Sequence, residues 1–146
     1  MKIKLVKIHP GALIPKYATD GSAAFDLHVC LDHDVFLNPG ECKILSTGLK
    51  MAVPDGYVAL IAPRSGLGAK QGIVLGNLLG VIDSDYRGSW GLTAWNRNHD
   101  GEAFKISHGD RLAQCMIVPV VRADFETVEE LSETSRGEGG FGNSGK

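Results

Sequence analysis

The sequence has no long apolar run, no excess of positive charge and few cysteines, and each shortfall removes a class of function. A helix that crosses a bilayer needs about 20 consecutive apolar residues. No such stretch occurs in the 146 residues, so no membrane partner is expected. The opening Met1-Lys2-Ile3-Lys4-Leu5-Val6-Lys7 is interrupted by lysine too often to form a signal-peptide core. Lys and Arg number 15 against 17 Asp and Glu, a net charge of −2 with a pI near 6.2. That balance offers no global field for a nucleic-acid polymer. A small anion stays within reach of a few local cations and backbone N–H groups. Cys30, Cys42 and Cys115 are odd in number and lack metal-ligand spacing, the pattern of reduced thiols, so the expected compartment is the cytoplasm. His28, Cys30 and His33 offer three ligands at most where structural zinc needs four, and a metal cluster there is rejected.

What is present reads as one β domain. Apolar residues make up 43% of the chain, enough for a core, and 19 glycines and six prolines fall between apolar runs as punctuation. Phe25, Leu27 and Val29 alternate with Asp26 and His28, and Leu49, Met51 and Val53 alternate with Lys50 and Ala52. Phe104 and Ile106 flank Lys105 in the same way. The continuous apolar runs from Tyr57 to Ala62 and from Leu112 to Val121 predict strands buried on both faces. Turns are marked by Asn38-Pro39-Gly40, Pro54-Asp55-Gly56, Asn98-His99-Asp100-Gly101 and His108-Gly109-Asp110. Many short strands at this spacing predict an all-β fold, a sandwich or a distorted barrel. The best helix candidate is Ala123 to Glu133, where Phe125, Val128 and Leu131 fall three apart, although Thr127 and the missing cap count against it. From Ser132 onward only Phe141 is large and apolar, and five of the last ten residues are glycine. The expected organisation is a β domain over 1–131 and a mobile glycine-rich arm over 132–146.

Three segments carry possible chemistry, and each has an ordinary alternative. Arg64-Ser65-Gly66-Leu67-Gly68 follows a buried strand and offers a guanidinium, a hydroxyl and exposed N–H groups to phosphate oxygens. It is not a Walker loop, and alone it reads as a glycine turn. Val81-Ile82-Asp83-Ser84-Asp85-Tyr86-Arg87-Gly88 sets two carboxylates and a phenol on a turn, where one carboxylate could serve as a base; a polar hairpin tip explains it equally. Gly109-Asp110-Arg111-Leu112-Ala113-Gln114 offers Gln114 as a phosphate donor, while Asp110 and Arg111 could form a structural ion pair.

Taken together these segments resemble the trimeric deoxyuridine triphosphatase family, close to its bacterial and phage-like members. Five ordered motifs carry the resemblance: Ala24-Phe25-Asp26-Leu27; Pro63-Arg64-Ser65-Gly66-Leu67-Gly68; Gly76-Asn77 through Gly80-Val81 to Gly88; Gly109 to Gln114; and Arg136-Gly137-Glu138-Gly139-Gly140-Phe141-Gly142-Asn143-Ser144-Gly145. Trp95-Asn96 also fits, so nearly the whole chain is covered. The resemblance implies a jelly-roll-like barrel and a homotrimer with shared active sites, hydrolysing dUTP to dUMP and pyrophosphate. It implies Asp83 as the base toward water, Tyr86 under the deoxyribose, and Asn77 with the backbone of Val81 and Ile82 around uracil. Arg64, Ser65, Gly66 and Gln114 would grip phosphates. From the arm, Arg136 and Ser144 would reach the β/γ end while Phe141, with Gly142 beside it, covers the base. The implied cofactor is Mg²⁺, clamped by the phosphates and water, with Asp26 acting indirectly through metal-bound water or by bracing the site.

Three positions depart from the family pattern. Ala24 stands where many members have glycine, and Asn143 where others have Ser, Thr or His. Gly91 replaces a longer side chain near the nucleotide, so any contact there is backbone only. Among rival readings, a dCTP deaminase on a related fold should lack both the Ile82 to Tyr86 segment and the terminal arm. A regulatory nucleotide-binding protein would bind without turnover, and Asp83 argues against it. A purely structural β-sandwich leaves the arm without a purpose.

Overall fold

The computed structural model describes residues 1–140, and in it the apolar alternation turns directly into strands. Eleven strands form: β1 (Lys4–Lys7), β2 (Phe25–His28), β3 (Val35–Leu37), β4 (Cys42–Ser46), β5 (Leu49–Ala52), β6 (Tyr57–Pro63), β7 (Ile73–Leu75), β8 (Gly80–Ile82), β9 (Gly91–Asn96), β10 (Phe104–Ile106) and β11 (Arg111–Pro119). They assemble as a four-stranded sheet β2-β11-β6-β8, a three-stranded sheet β4-β9-β7, and two pairs, β1-β5 and β10-β3. All are antiparallel. The result is the expected nearly all-β, jelly-roll-like barrel. Among the described residues no helix is long and apolar enough to cross a membrane.

Each strand points one row of side chains into a shared core. On β2, Phe25 and Leu27 are buried while Asp26 and His28 face partly outward. Leu27, Leu37, Leu49, Ile73, Leu75, Trp90, Leu92 and Ile106 close the centre with almost no exposed surface. Two polar side chains share that burial, and both are satisfied. Thr47 Oγ1 donates to the Trp90 carbonyl at 2.8 Å and Asn96 Nδ2 to the Leu37 carbonyl at 2.9 Å.

Three expectations need correction. The two continuous apolar runs do become the longest strands, β6 and β11, but Leu60, Met116 and Val118 remain half-exposed in the single chain. No helix forms from Ala123 to Glu133; residues 120–140 contain neither helix nor strand. The reason is the absence of a surface to bury against: Phe125 is 97% exposed and Leu131 87%. The one helix among the described residues, α1 (Ser65–Gln71), forms instead where the sequence suggests a glycine turn. It ends on Gly72, whose φ of 70° suits glycine, and a side chain there would collide with Asn98.

Candidate active site

The central sheet gathers one cluster at its end. Register places Gln114 of β11 opposite both Asp26 of β2 and Ala62 of β6, and β6 then leaves the sheet through Pro63 into Arg64 and α1. Asp26, Arg64, Ser65, Gly66 and Gln114 therefore border one open pocket of about 350 Å³. Asp26 holds it together: its Oδ1 takes Arg64 Nε at 3.0 Å and its Oδ2 takes Arg111 Nη1 at 3.1 Å. Arg64 Nη1 donates again to the Arg111 carbonyl at 3.1 Å, and Gln114 Nε2 to the Pro63 carbonyl at 3.0 Å. Two guanidinium groups around one carboxylate leave a net positive, pre-oriented surface suited to an oxyanion. The partner of Arg111 is thus Asp26 across the sheet, while Asp110 accepts the Ser107 N–H at 2.8 Å. Sequence spacing could not reveal that cross-strand pair.

His28 stands beside this cluster, opposite Arg111 in register. Burial lowers its pKa below 6.5; Asp26 pushes back, and Arg111 and Arg64 lower it further. The ring is consequently neutral at pH 7, and its Nδ1 is buried with no hydrogen-bond partner among the described residues.

A second cleft, about 90 Å³, opens between the sheets, bordered by Asn77, Gly80, Val81, Ile82, Gly91 and Thr93. Its shape comes from the turn joining β7 to β8. The Gly76 N–H bonds the Thr93 carbonyl at 2.7 Å, and Leu78 adopts a positive φ of 61°. Asn77 is left exposed at the mouth, beside the free backbone of β8. Gly91 has a packing reason: a Cβ there would lie 3.0 Å from Ile44 Cγ2, so a longer side chain needs Ile44 to move.

Asp83 and Tyr86 follow on the turn after β8, outside both pockets. The Tyr86 N–H bonds the Asp83 carbonyl at 3.3 Å and Tyr86 Oη donates to the Ser89 carbonyl at 3.1 Å, so the ring folds over Gly88. The Asp83 carboxylate is exposed and has no ion-pair partner among the described residues. Arg136 closes a small turn of its own, Nε donating to the Gly139 carbonyl at 2.7 Å. Phe141, Gly142 and Ser144 lie outside the described residues.

Asp83 and the Arg64 cluster do not meet within one chain. Gly80 pairs with Ile61 and Ile82 with Ala59, so Asp83 continues toward Val58 while Arg64 leaves the opposite end of β6. At about 3.3 Å per residue, Val58 and Arg64 are on the order of 20 Å apart.

Comparison with known proteins identifies the family. The dUTPase family model matches residues 11–145. The deoxyuridine 5'-triphosphate nucleotidohydrolase of Burkholderia cenocepacia (strain HI2424) is 51% identical, covering 100% of this chain and 98% of its own. The dUTPase of Staphylococcus bacteriophage 80alpha, solved with dUPNHPP, superposes with a TM-score of 0.89 at 27% identity, covering 99% of both chains. A mutant dUTPase from phage phi11 of S. aureus, solved with a structural Mg(II) ion, superposes at 0.81 with 25% identity, covering 91% of this chain and 100% of its own. With almost every residue inside the match and half of them identical to a curated relative, the chain belongs to the dUTPase family and is a dUTP-hydrolysing enzyme.

Proposed function

We propose that a water activated by Asp83 attacks the α-phosphorus of dUTP, releasing dUMP and pyrophosphate. The observation that carries this reading is an exposed carboxylate, without an ion-pair partner among the described residues, on the turn that directly follows β8, the strand bordering the base cleft. Asp83 accepts the proton of the water and orients it. Asn77 and the β8 backbone at Val81 and Ile82 bond the uracil edge, and a cytosine would leave those groups unpaired. The Tyr86 ring lies under the deoxyribose and leaves no space for a 2′-hydroxyl. Gly91 contributes backbone only. Arg64, Ser65, Gly66 and Gln114 hold the phosphates, and Arg136, Phe141, Gly142 and Ser144 come from the arm. Phosphoryl transfer needs positioning and charge neutralisation more than covalent chemistry, which this set supplies.

Mg²⁺ fits as a companion of the triphosphate. Among the described residues no group of three acidic, His or Cys side chains could hold a metal, and both Asp26 oxygens already face guanidinium groups. When bound, the cation offsets phosphate charge, and Asp26 acts on it through water or by bracing Arg64. Such an activity supplies dUMP for thymidylate synthesis and keeps uracil out of DNA, a cytoplasmic task.

The working unit is a homotrimer with shared sites. The separation of Asp83 from Arg64 along β6 favours this, because two chains can bring together what one holds apart. The exposed segment after β11 supports it as well. Val121, Ala123 and Phe125 alternate with Arg122, Asp124 and Glu126, a strand pattern without a partner. Among the described residues β1 pairs only with β5; it carries Lys4 and Lys7 and borders an apolar groove of about 600 Å³ containing Ile3, Leu5 and Ile117. An acidic strand from a neighbouring copy matches that basic edge.

Pyrophosphate release measured across dUTP, dCTP, dTTP and UTP tests the function. Turnover should be confined to dUTP; binding of dUTP without release, or equal rates with UTP, would overturn it.

A further inference from the structure

The tripeptide Asn96-Arg97-Asn98 is tied to the back of α1, and the functional reading above does not use it. Arg97 Nη2 donates to the Gly68 carbonyl at 3.1 Å, the Arg97 N–H to the Gly72 carbonyl at 3.0 Å, and Asn98 Nδ2 to the Gln71 carbonyl at 2.8 Å. These are carbonyls of the last turn and the cap, groups a helix cannot satisfy from within. A guanidinium at that end also complements the negative pole of the helix.

The anchor is itself rigid. The Asn98 N–H bonds Asn96 Oδ1 at 3.1 Å, and Asn96 is buried and fastened to the Leu37 carbonyl. A continuous set of hydrogen bonds therefore runs from the barrel core to the rear of α1. The helix needs such support. It spans only Ser65–Gln71, includes Gly66 and Gly68, and starts at Arg64 without a side-chain cap. Glycine is the poorest helix former after proline, and so short a helix does not persist on its own propensity.

We infer that Arg97, with Asn98, is a positioning residue for triphosphate recognition: it fixes α1 from behind and so sets where Arg64, Ser65 and Gly66 meet the phosphates. This rests on the reading of Arg64–Gly66 as the phosphate grip. Losing the Arg97 guanidinium frees the last turn, and the front of the helix loses its register against the ligand. The base cleft is bordered by β8, the far end of β9 and the β7–β8 turn with Leu75 and Asn77, and β7 is held by its backbone pairing with β9, so loss of the Arg97 side chain leaves nucleoside binding in place.

The test compares binding of an imido analogue of dUTP with binding of deoxyuridine, in the full-length assembled enzyme. Arg97→Ala should weaken the triphosphate analogue about ten- to a hundred-fold, the scale on which charge-assisted hydrogen bonds act, and leave deoxyuridine nearly unchanged. Arg97→Lys keeps a charged donor and should restore most of the loss. Asn98→Ala, measured in the same way, should reproduce the selective loss and serves if Arg97→Ala does not fold. Equal weakening of both ligands, or no change in either, would overturn the inference. Arg64→Ala separates the two levels of argument. If it weakens the analogue while both anchor variants do not, only the positioning role falls. If Arg64→Ala has no effect, the phosphate reading falls and takes the inference with it.

Discussion

Two aspartates of the site have opposite surroundings, and their roles follow from that difference. Asp26 is partly buried between Arg64 and Arg111, with both oxygens engaged, which suits the bracing role proposed for it. Asp83 is exposed on its turn, with no ion-pair partner among the described residues, which suits its proposed role as the base. Asp83→Asn keeps the size and removes the basicity. Binding of the imido analogue should remain near normal while kcat falls roughly 10²–10⁴-fold, the usual range for a general base. A variant keeping more than half the wild-type rate would exclude Asp83 from that role. His28 gives a prediction of a different kind. Burial, Arg111 and Arg64 hold its pKa in the fold below the 6.5 of the unfolded chain. As pH falls past 6.5 the unfolded state takes up the proton first, so this residue's contribution to stability is intact above 6.5 and is lost progressively below it. His28→Gln removes the effect. Urea midpoints measured at pH 7 and pH 5, at fixed protein concentration, should fall less in the variant than in the wild type; parallel losses would show that other groups set the acid limit.

At the level of elements, the strands were legible because alternation is a direct consequence of one face being buried. Phe25 and Leu27 against Asp26 and His28 illustrate it. The helix α1 was not legible, because its two glycines argue against a helix and the bonds that hold it come from Arg97 and Asn98, distant in sequence. The segment after β11 shows the opposite case. Spacing of three among Phe125, Val128 and Leu131 suggested a helix, whereas Val121, Ala123 and Phe125 also alternate, and neither pattern finds a surface within the chain. Site residues were recognisable as motifs, but their pairing was not: the link from Asp26 to Arg111 depends on register between β2 and β11. An unpartnered segment also predicts a response to ligand. Amide exchange over residues 132–140, which end in the Arg136 turn, should slow when the imido analogue and Mg²⁺ are added together. Exchange that stays unchanged at saturating ligand would count against the arm closing on the site.

For the whole molecule, the decisive fact is that one barrel holds Asp83 and the Arg64 cluster at opposite ends of β6. A domain this small has little depth for a pocket, and in the proposed trimer a groove between copies would provide it. Residues 120–140 are almost all exposed, as expected if the proposed trimer covers them with a neighbouring copy. If each site takes Asp83 from one chain and its arm from another, two inactive proteins can repair each other. One carries Asp83→Asn with an intact arm; the other keeps Asp83 and ends before Arg136. After random subunit exchange, half of the sites receive an intact base, and half of those receive an intact arm. In a closed ring with head-to-tail contacts, about a quarter of the sites should therefore recover activity. If base and arm belonged to the same chain, every site would keep one defect and the mixture would stay inactive. Exchange is verified independently by mixing differently tagged subunits and recovering both tags in one assembly. Full exchange without recovered turnover would defeat the shared site while leaving the hydrolysis of dUTP untouched, because the intact enzyme would still carry both parts in every chain.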